Sequence, residues 1–113
     1  MRRQFQTLAL MLSVASLSVA AEEQWVSLEK TGGEALFREK CGMCHGDAMG
    51  MGTGLLARRM AAEAALLENR DDLQASFIEN VVRNGFGVMF PMSRGEVGDK
   101  QLQAIIGYLA AED

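Results

Sequence analysis

The only two cysteines and the only histidine of this 113-residue chain lie within five consecutive positions, Cys41-Gly42-Met43-Cys44-His45. Any fold must be built around that cluster, because all the thiol and imidazole chemistry sits on one turn of backbone. A thioredoxin-like redox pair with this spacing calls for a βαβ pattern around it, and no sustained alternation flanks it. A structural zinc site needs four Cys or His ligands, and the whole chain holds three. A disulfide between such close neighbours leaves His45 without a role.

The spacing instead matches a covalent haem attachment site. Two thiols add across the two vinyl groups of the porphyrin, and a two-residue gap lets one turn of chain reach both. The adjacent imidazole then falls beneath the iron as an axial ligand. Cys41 and Cys44 are thus the expected thioether residues and His45 the expected iron ligand, for one covalent haem c.

The N-terminus reads as a secretory signal peptide over 1–21, followed by one domain over 22–113. Met1-Arg2-Arg3 is a basic start, Leu8 to Ala20 is apolar, and Ser18 with Ala20, or Val19 with Ala21, suits signal peptidase. The apolar run falls short of the ~20 residues a membrane span needs, so no span is expected after cleavage. Losing Arg2 and Arg3 leaves nine basic residues against fifteen acidic ones, a net charge of −6. That balance argues against nucleic acid as a partner, which demands a Lys/Arg footprint. It permits steering toward a basic patch on a redox protein.

Helical periodicity runs through the rest of the chain. Thr31 reads as an N-cap with Glu34 closing a capping box, and Gly32 to Lys40 as a short helix with Leu36 and Phe37 inward. Gly46 to Gly54 holds four of the twelve glycines and reads as a loop. Leu55 to Asn69 has helical character. Asp71 or Asp72 is expected to cap a helix running to Asn84, with Leu73, Phe77, Val81 and Ile78 on its apolar side and Asn84-Gly85 stopping it. Phe86 to Gly98 reads as irregular, around the single proline, Pro91. Asp99 to Ala111 forms the last helix, with Leu102, Ile105, Ile106 and Leu109 as its stripe. The fold class is all-α, with loops long enough to be odd unless they wrap something.

From Gly33 to Leu109 the chain resembles class I, monohaem cytochrome c. A glycine and an aromatic, Gly33 and Phe37, stand eight and four positions before Cys41, and Ile105 with Tyr108 completes the matching C-terminal pattern. The resemblance implies the small class I fold: N- and C-terminal helices cross at a close contact that Gly33 permits, and the loops wrap one haem. It also implies a methionine as the iron's second axial ligand. Met89 and Met92 are both available in Gly87-Val88-Met89-Phe90-Pro91-Met92-Ser93. Matching Glu96-Val97-Gly98-Asp99 to the family's loop ending favours Met89, whereas shorter-looped relatives favour Met92.

The family's usual proline after the attachment motif is missing. A backbone carbonyl near Gly54 to Leu56 is therefore expected to orient the second nitrogen of His45. Met43, Met49, Met51 and Met60 are expected to pack on haem or core, and Arg58, Arg59, Arg83 and Arg94 are candidates for the haem propionates. The implied function is non-enzymatic electron transfer in the periplasm. Electrons would come from a dehydrogenase, such as a flavin or quinoprotein enzyme, and leave to an oxidase or another cytochrome. The competing reading is a haem enzyme or gas sensor with an open sixth position.

Overall fold

A stripe of aliphatic residues at helical spacing organises the molecule. Leu102, Ile105, Ile106 and Leu109 recur along Asp99–Leu109 (α6), and all four are buried. The computed structural model describes residues 32–47 and 49–111; the leader, Trp25 and the Thr31 cap lie outside the described residues. Six α-helices are described there. They are α1 over 32–40, α2 Gly42–His45, α3 Met51–Leu56, α4 Ala62–Ala65, α5 Ala75–Asn84 and α6, with a 3-10 turn at Leu67–Asn69 after α4. No strand occurs among the described residues, only an isolated bridge between Phe86 and Met89. The all-α expectation is met.

The first and last helices meet as the resemblance implied. A Cβ built on Gly33 would lie 2.1 Å from the Ala104 carbonyl oxygen and 2.8 Å from Tyr108 Cβ, so only glycine allows the two backbones this close. Phe37, 1% exposed, fills the crossing and meets the Tyr108 ring at 5.9 Å between centroids. Removing such a side chain from water contributes roughly 1.5–3 kcal/mol. The Tyr108 hydroxyl donates to Glu68. Arg38, itself paired with Glu34, reaches the same carboxylate.

α5 packs against α6 through Ile78 and Val82, with Leu73 beside them in the same core. Here the expected apolar face of α5 is displaced. Phe77 is 46% exposed, and its ring sets edge-on against Phe86 rather than entering the core. Val81 is half-buried, and the inward pair is Ile78 and Val82, four residues apart. The helix also starts later than expected, with Gln74 at its N-cap, because Asp72 is held instead by Arg70 in a paired contact at 2.7 Å. It ends at Gly85, whose φ of 77° suits glycine. The amide of Ala111 donates to the Leu73 carbonyl and ties the end of α6 to the start of this layer.

Two segments expected as one loop and one helix differ from those expectations. The Gly46 to Gly54 stretch contains the first turn of α3. The Asp47 carboxylate accepts the amides of Met49 and Gly50, and the Thr53 hydroxyl donates to the Cys44 carbonyl, so side chains supply what the glycine-rich composition does not. The Leu55 to Asn69 stretch breaks into the end of α3, the single turn of α4 and the 3-10 turn, divided by extended backbone at Ala61 and Leu66.

Candidate haem site

The attachment segment grows directly out of α1. The Cys41 amide donates to Phe37 O at 2.8 Å, continuing the helix, and the amides of Cys44 and His45 both donate to Cys41 O. Cys41 and Cys44 therefore stand at the two ends of one turn, both as half-buried free thiols. Burial, reinforced by the neighbouring Cys44, pushes the Cys41 thiol up to about 11. No group of three His, Cys, Asp or Glu residues among the described residues is arranged to hold a metal ion.

Burial lowers the His45 pKa, which keeps the imidazole neutral and its lone pair free to bind iron. The ring lies against α3: a Cβ on Gly52 would come within 2.7 Å of Cε1 and 3.0 Å of Nδ1. Nδ1 is sealed from solvent, so Nε2 is the nitrogen left to reach an iron. The expected carbonyl partner near Gly54 to Leu56 is not there, and Nδ1 has no hydrogen-bond partner among the described residues. The reason is local: 51–56 is helical, so its carbonyls point along the axis, and Thr53 O and Leu56 O accept the amides of Ala57, Arg59 and Met60.

Met89 and Met92 are both half-buried and pack on the core cluster that Cys41 also touches. They are held differently. Met89 closes a tight turn, exchanging amide–carbonyl bonds with Phe86 around Gly87 at φ 60°. A Cβ on Gly85 would lie 2.7 Å from Met89 O, so glycine is also required beneath this turn. The Met92 amide donates to Val82 O at 2.7 Å, fixing its backbone to α5.

All the large apolar side chains left exposed among the described residues fall in two segments. Met43, Met49 and Met51 belong to the attachment side, and Phe77, Phe86, Val88 and Phe90 to the methionine side. Of the two places expected for Met43, Met49 and Met51, haem or core, the core is not the one they take; at 71–91% exposed, they leave apolar surface beside the attachment turn. Met60 is half-buried, its sulfur near Arg70. Apolar surface concentrated on the two segments that carry the candidate ligands is what a porphyrin with two apolar faces requires. The residues present therefore fit a covalent haem: two thiols on one turn, one reachable imidazole nitrogen and a thioether loop. When bound, the group supplies a one-electron iron couple, while the chain attaches it, orients it and excludes water.

Of the four arginines considered for the propionates, two are engaged elsewhere. Arg83 bonds to Met92 O, Val97 O and Asp99, and Arg94 to Asp99. Arg58 and Arg59 are exposed and form no salt bridge among the described residues.

The family described as cytochrome c oxidase, cbb3-type, subunit III, matches residues 29–109. The chain is also similar to the 4-cresol dehydrogenase [hydroxylating] cytochrome c subunit of Pseudomonas putida. The two are 31% identical over 100 residues, which cover 88% of this chain and 73% of that one. No solved structure matches the chain. No helix among the described residues is long and apolar enough to cross a membrane. With the attachment turn, the crossed terminal helices and these similarities in agreement, the chain belongs to the cytochrome c family and is a class I electron carrier, not an enzyme, holding one covalently bound haem c.

Proposed function

We propose that Cys41 and Cys44 hold the haem through thioethers, that His45 Nε2 and Met89 Sδ take the two axial positions, and that the protein accepts electrons from a dehydrogenase partner. The observation carrying this reading is that the exposed large apolar side chains gather beside the attachment turn, at Met43, Met49 and Met51, and in or beside the methionine loop, at Phe77, Phe86, Val88 and Phe90. Held by His45 and Met89, the haem would have no open position for a substrate and would supply one-electron transfer alone. Thioether ligation favours the reduced ion and raises the potential. The likeness to the cytochrome subunit of a hydroxylating dehydrogenase supports a dehydrogenase as the donor; in this reading that donor is a flavin or quinoprotein enzyme, and the acceptor is an oxidase or another cytochrome. The leader over 1–21 supports maturation and work in the periplasm, where the chain arrives unfolded and receives its haem.

Substituting each methionine in the haem-loaded protein tests the ligand. Met89→Ala is expected to abolish the weak far-red methionine–iron band and open the reduced protein to carbon monoxide, while Met92→Ala keeps the band. The opposite pattern assigns Met92. Carbon monoxide binding by the unmodified reduced protein would establish an open sixth position and refute the ligation. Copurification of a dehydrogenase subunit at fixed stoichiometry checks the donor, and N-terminal sequencing of the exported protein checks cleavage after Ala20 or Ala21.

A further inference from the structure

Arg83 lies in the last turn of α5, next to the end that leads into the methionine loop, yet its side chain is only 13% exposed. Its guanidinium ties the second half of the connection between α5 and α6 to the start of α6. Nη1 donates to Met92 O at 3.2 Å and to Val97 O at 2.9 Å, and Nη2 donates to Asp99 at 2.8 Å, in the first turn of α6. The preceding residue, Val82, accepts the Met92 amide at 2.7 Å. Both backbone groups of Met92 are thereby fixed to consecutive residues of α5. Val97, the other carbonyl partner, is 1% exposed and belongs to the core. Between these two anchor points the chain makes its own turn, with Glu96 accepting from the amide and hydroxyl of Ser93. The planar guanidinium suits this task because it offers several donors in fixed directions, which an ammonium group does not.

We propose that Arg83 is a positioning residue for the methionine side of the haem: by clamping Met92 O and Val97 O it fixes the loop that presents the axial thioether, and so sets the reduction potential and the resistance of the sixth position to outside ligands. The inference rests on the methionine ligation proposed above. It replaces a propionate partner with a main-chain clamp as the role of this arginine. Removing the guanidinium leaves two carbonyls without their charged donor, and bonds to charged donors are stronger than neutral ones. The loop then opens more often, and each opening exposes the iron.

The test uses the haem-loaded protein with four chains: unmodified, Arg83→Met, Arg83→Lys and Asp99→Asn. Imidazole binding to the ferric form, the reduction potential and the far-red methionine–iron band are read alongside the melting temperature. Arg83→Met is expected to bind imidazole about tenfold more tightly, with a lower potential and a weakened band. Asp99→Asn leaves both carbonyl bonds in place and is expected to match the unmodified protein in all three readings. Arg83→Lys keeps the charge but reaches fewer carbonyls, so it falls between them; it also keeps the comparison available if Arg83→Met fails to mature. A lowered melting temperature in Arg83→Met or Arg83→Lys with unchanged imidazole affinity and potential would show a purely structural staple and overturn the inference. Absence of the band in the unmodified protein defeats the ligation reading itself, and is recognisable because it precedes any substitution.

Discussion

The α1–α6 crossing and the methionine loop are both tightly held, but by opposite means. At the crossing, backbone meets backbone over Gly33, and Phe37, Leu102 and Ile105, each 1% exposed, exclude water. In the loop over 85–98, Phe86, Val88 and Phe90 stay 66–85% exposed, and order comes from main-chain hydrogen bonds, two positive-φ glycines and one arginine. Packing is non-directional and tolerates no lost volume, whereas hydrogen bonds aim particular atoms at particular places. The comparison teaches that this chain closes its core by packing and shapes its methionine loop by directed bonds. Substitutions in the two regions should therefore damage different observables.

The largest effect is expected at the crossing. Gly33→Val puts a branched side chain where a single Cβ already sits 2.1 Å from Ala104 O. A destabilisation of about 3 kcal/mol or more is expected, read as loss of cooperative thermal unfolding or of soluble haem protein. A folded Gly33→Val protein with a near-normal melting temperature would break the distinction. Gly85→Ala comes next. Its φ of 77° and its closeness to Met89 O should cost about 1–2 kcal/mol, and the far-red band should weaken more than the melting temperature falls.

Phe77→Ala removes the edge-on contact with Phe86, worth about 0.5–1.5 kcal/mol. It sharpens the comparison by asking whether an aromatic pair at the loop's base serves stability or ligand placement; a shift in potential without a matching fall in melting temperature would assign it to the loop. The smallest effect concerns pH at the crossing. Burial, then the bond to Glu68, pushes the Tyr108 hydroxyl up to about 12 from an ordinary value of 10.0. Between those two values the unfolded chain releases a proton that the folded chain retains, so stability is lost as pH rises from about 10 toward 12. Tyr108→Phe should lack that alkaline loss when unfolding midpoints of the two proteins are compared across the range.

The features legible in the sequence are those expressed as a period or a spacing. The stripe of α6 follows from helical recurrence and the extent of α1 from its capping pattern, while Cys41 to His45 stands out because two residues between thiols is the spacing that the proposed attachment requires. The close approach at Gly33 was implied by the family resemblance and is met. Features made by single hydrogen bonds leave no such trace. The turn of α3 within a glycine-rich stretch depends on Asp47 and Thr53 reaching main-chain atoms, and the bare Nδ1 of His45 follows from that helix turning its carbonyls away. Phe77 was expected in the core because helical spacing cannot tell Ile78 and Val82 from a neighbouring face that finds Phe86 instead. Arg83 cannot be told in the sequence from the other three arginines considered for the propionates, since two of its partners are carbonyls that every residue possesses.

The contact over Gly33 joins it to Ala104, seventy-one positions further along. A chain delivered from its amino end cannot close this seam until nearly all of it has arrived. Meanwhile the cysteine turn that follows Gly33 has no finished fold around it. Until the last helix docks, the stretch from Cys41 to His45 thus stays open on the side that this seam later closes.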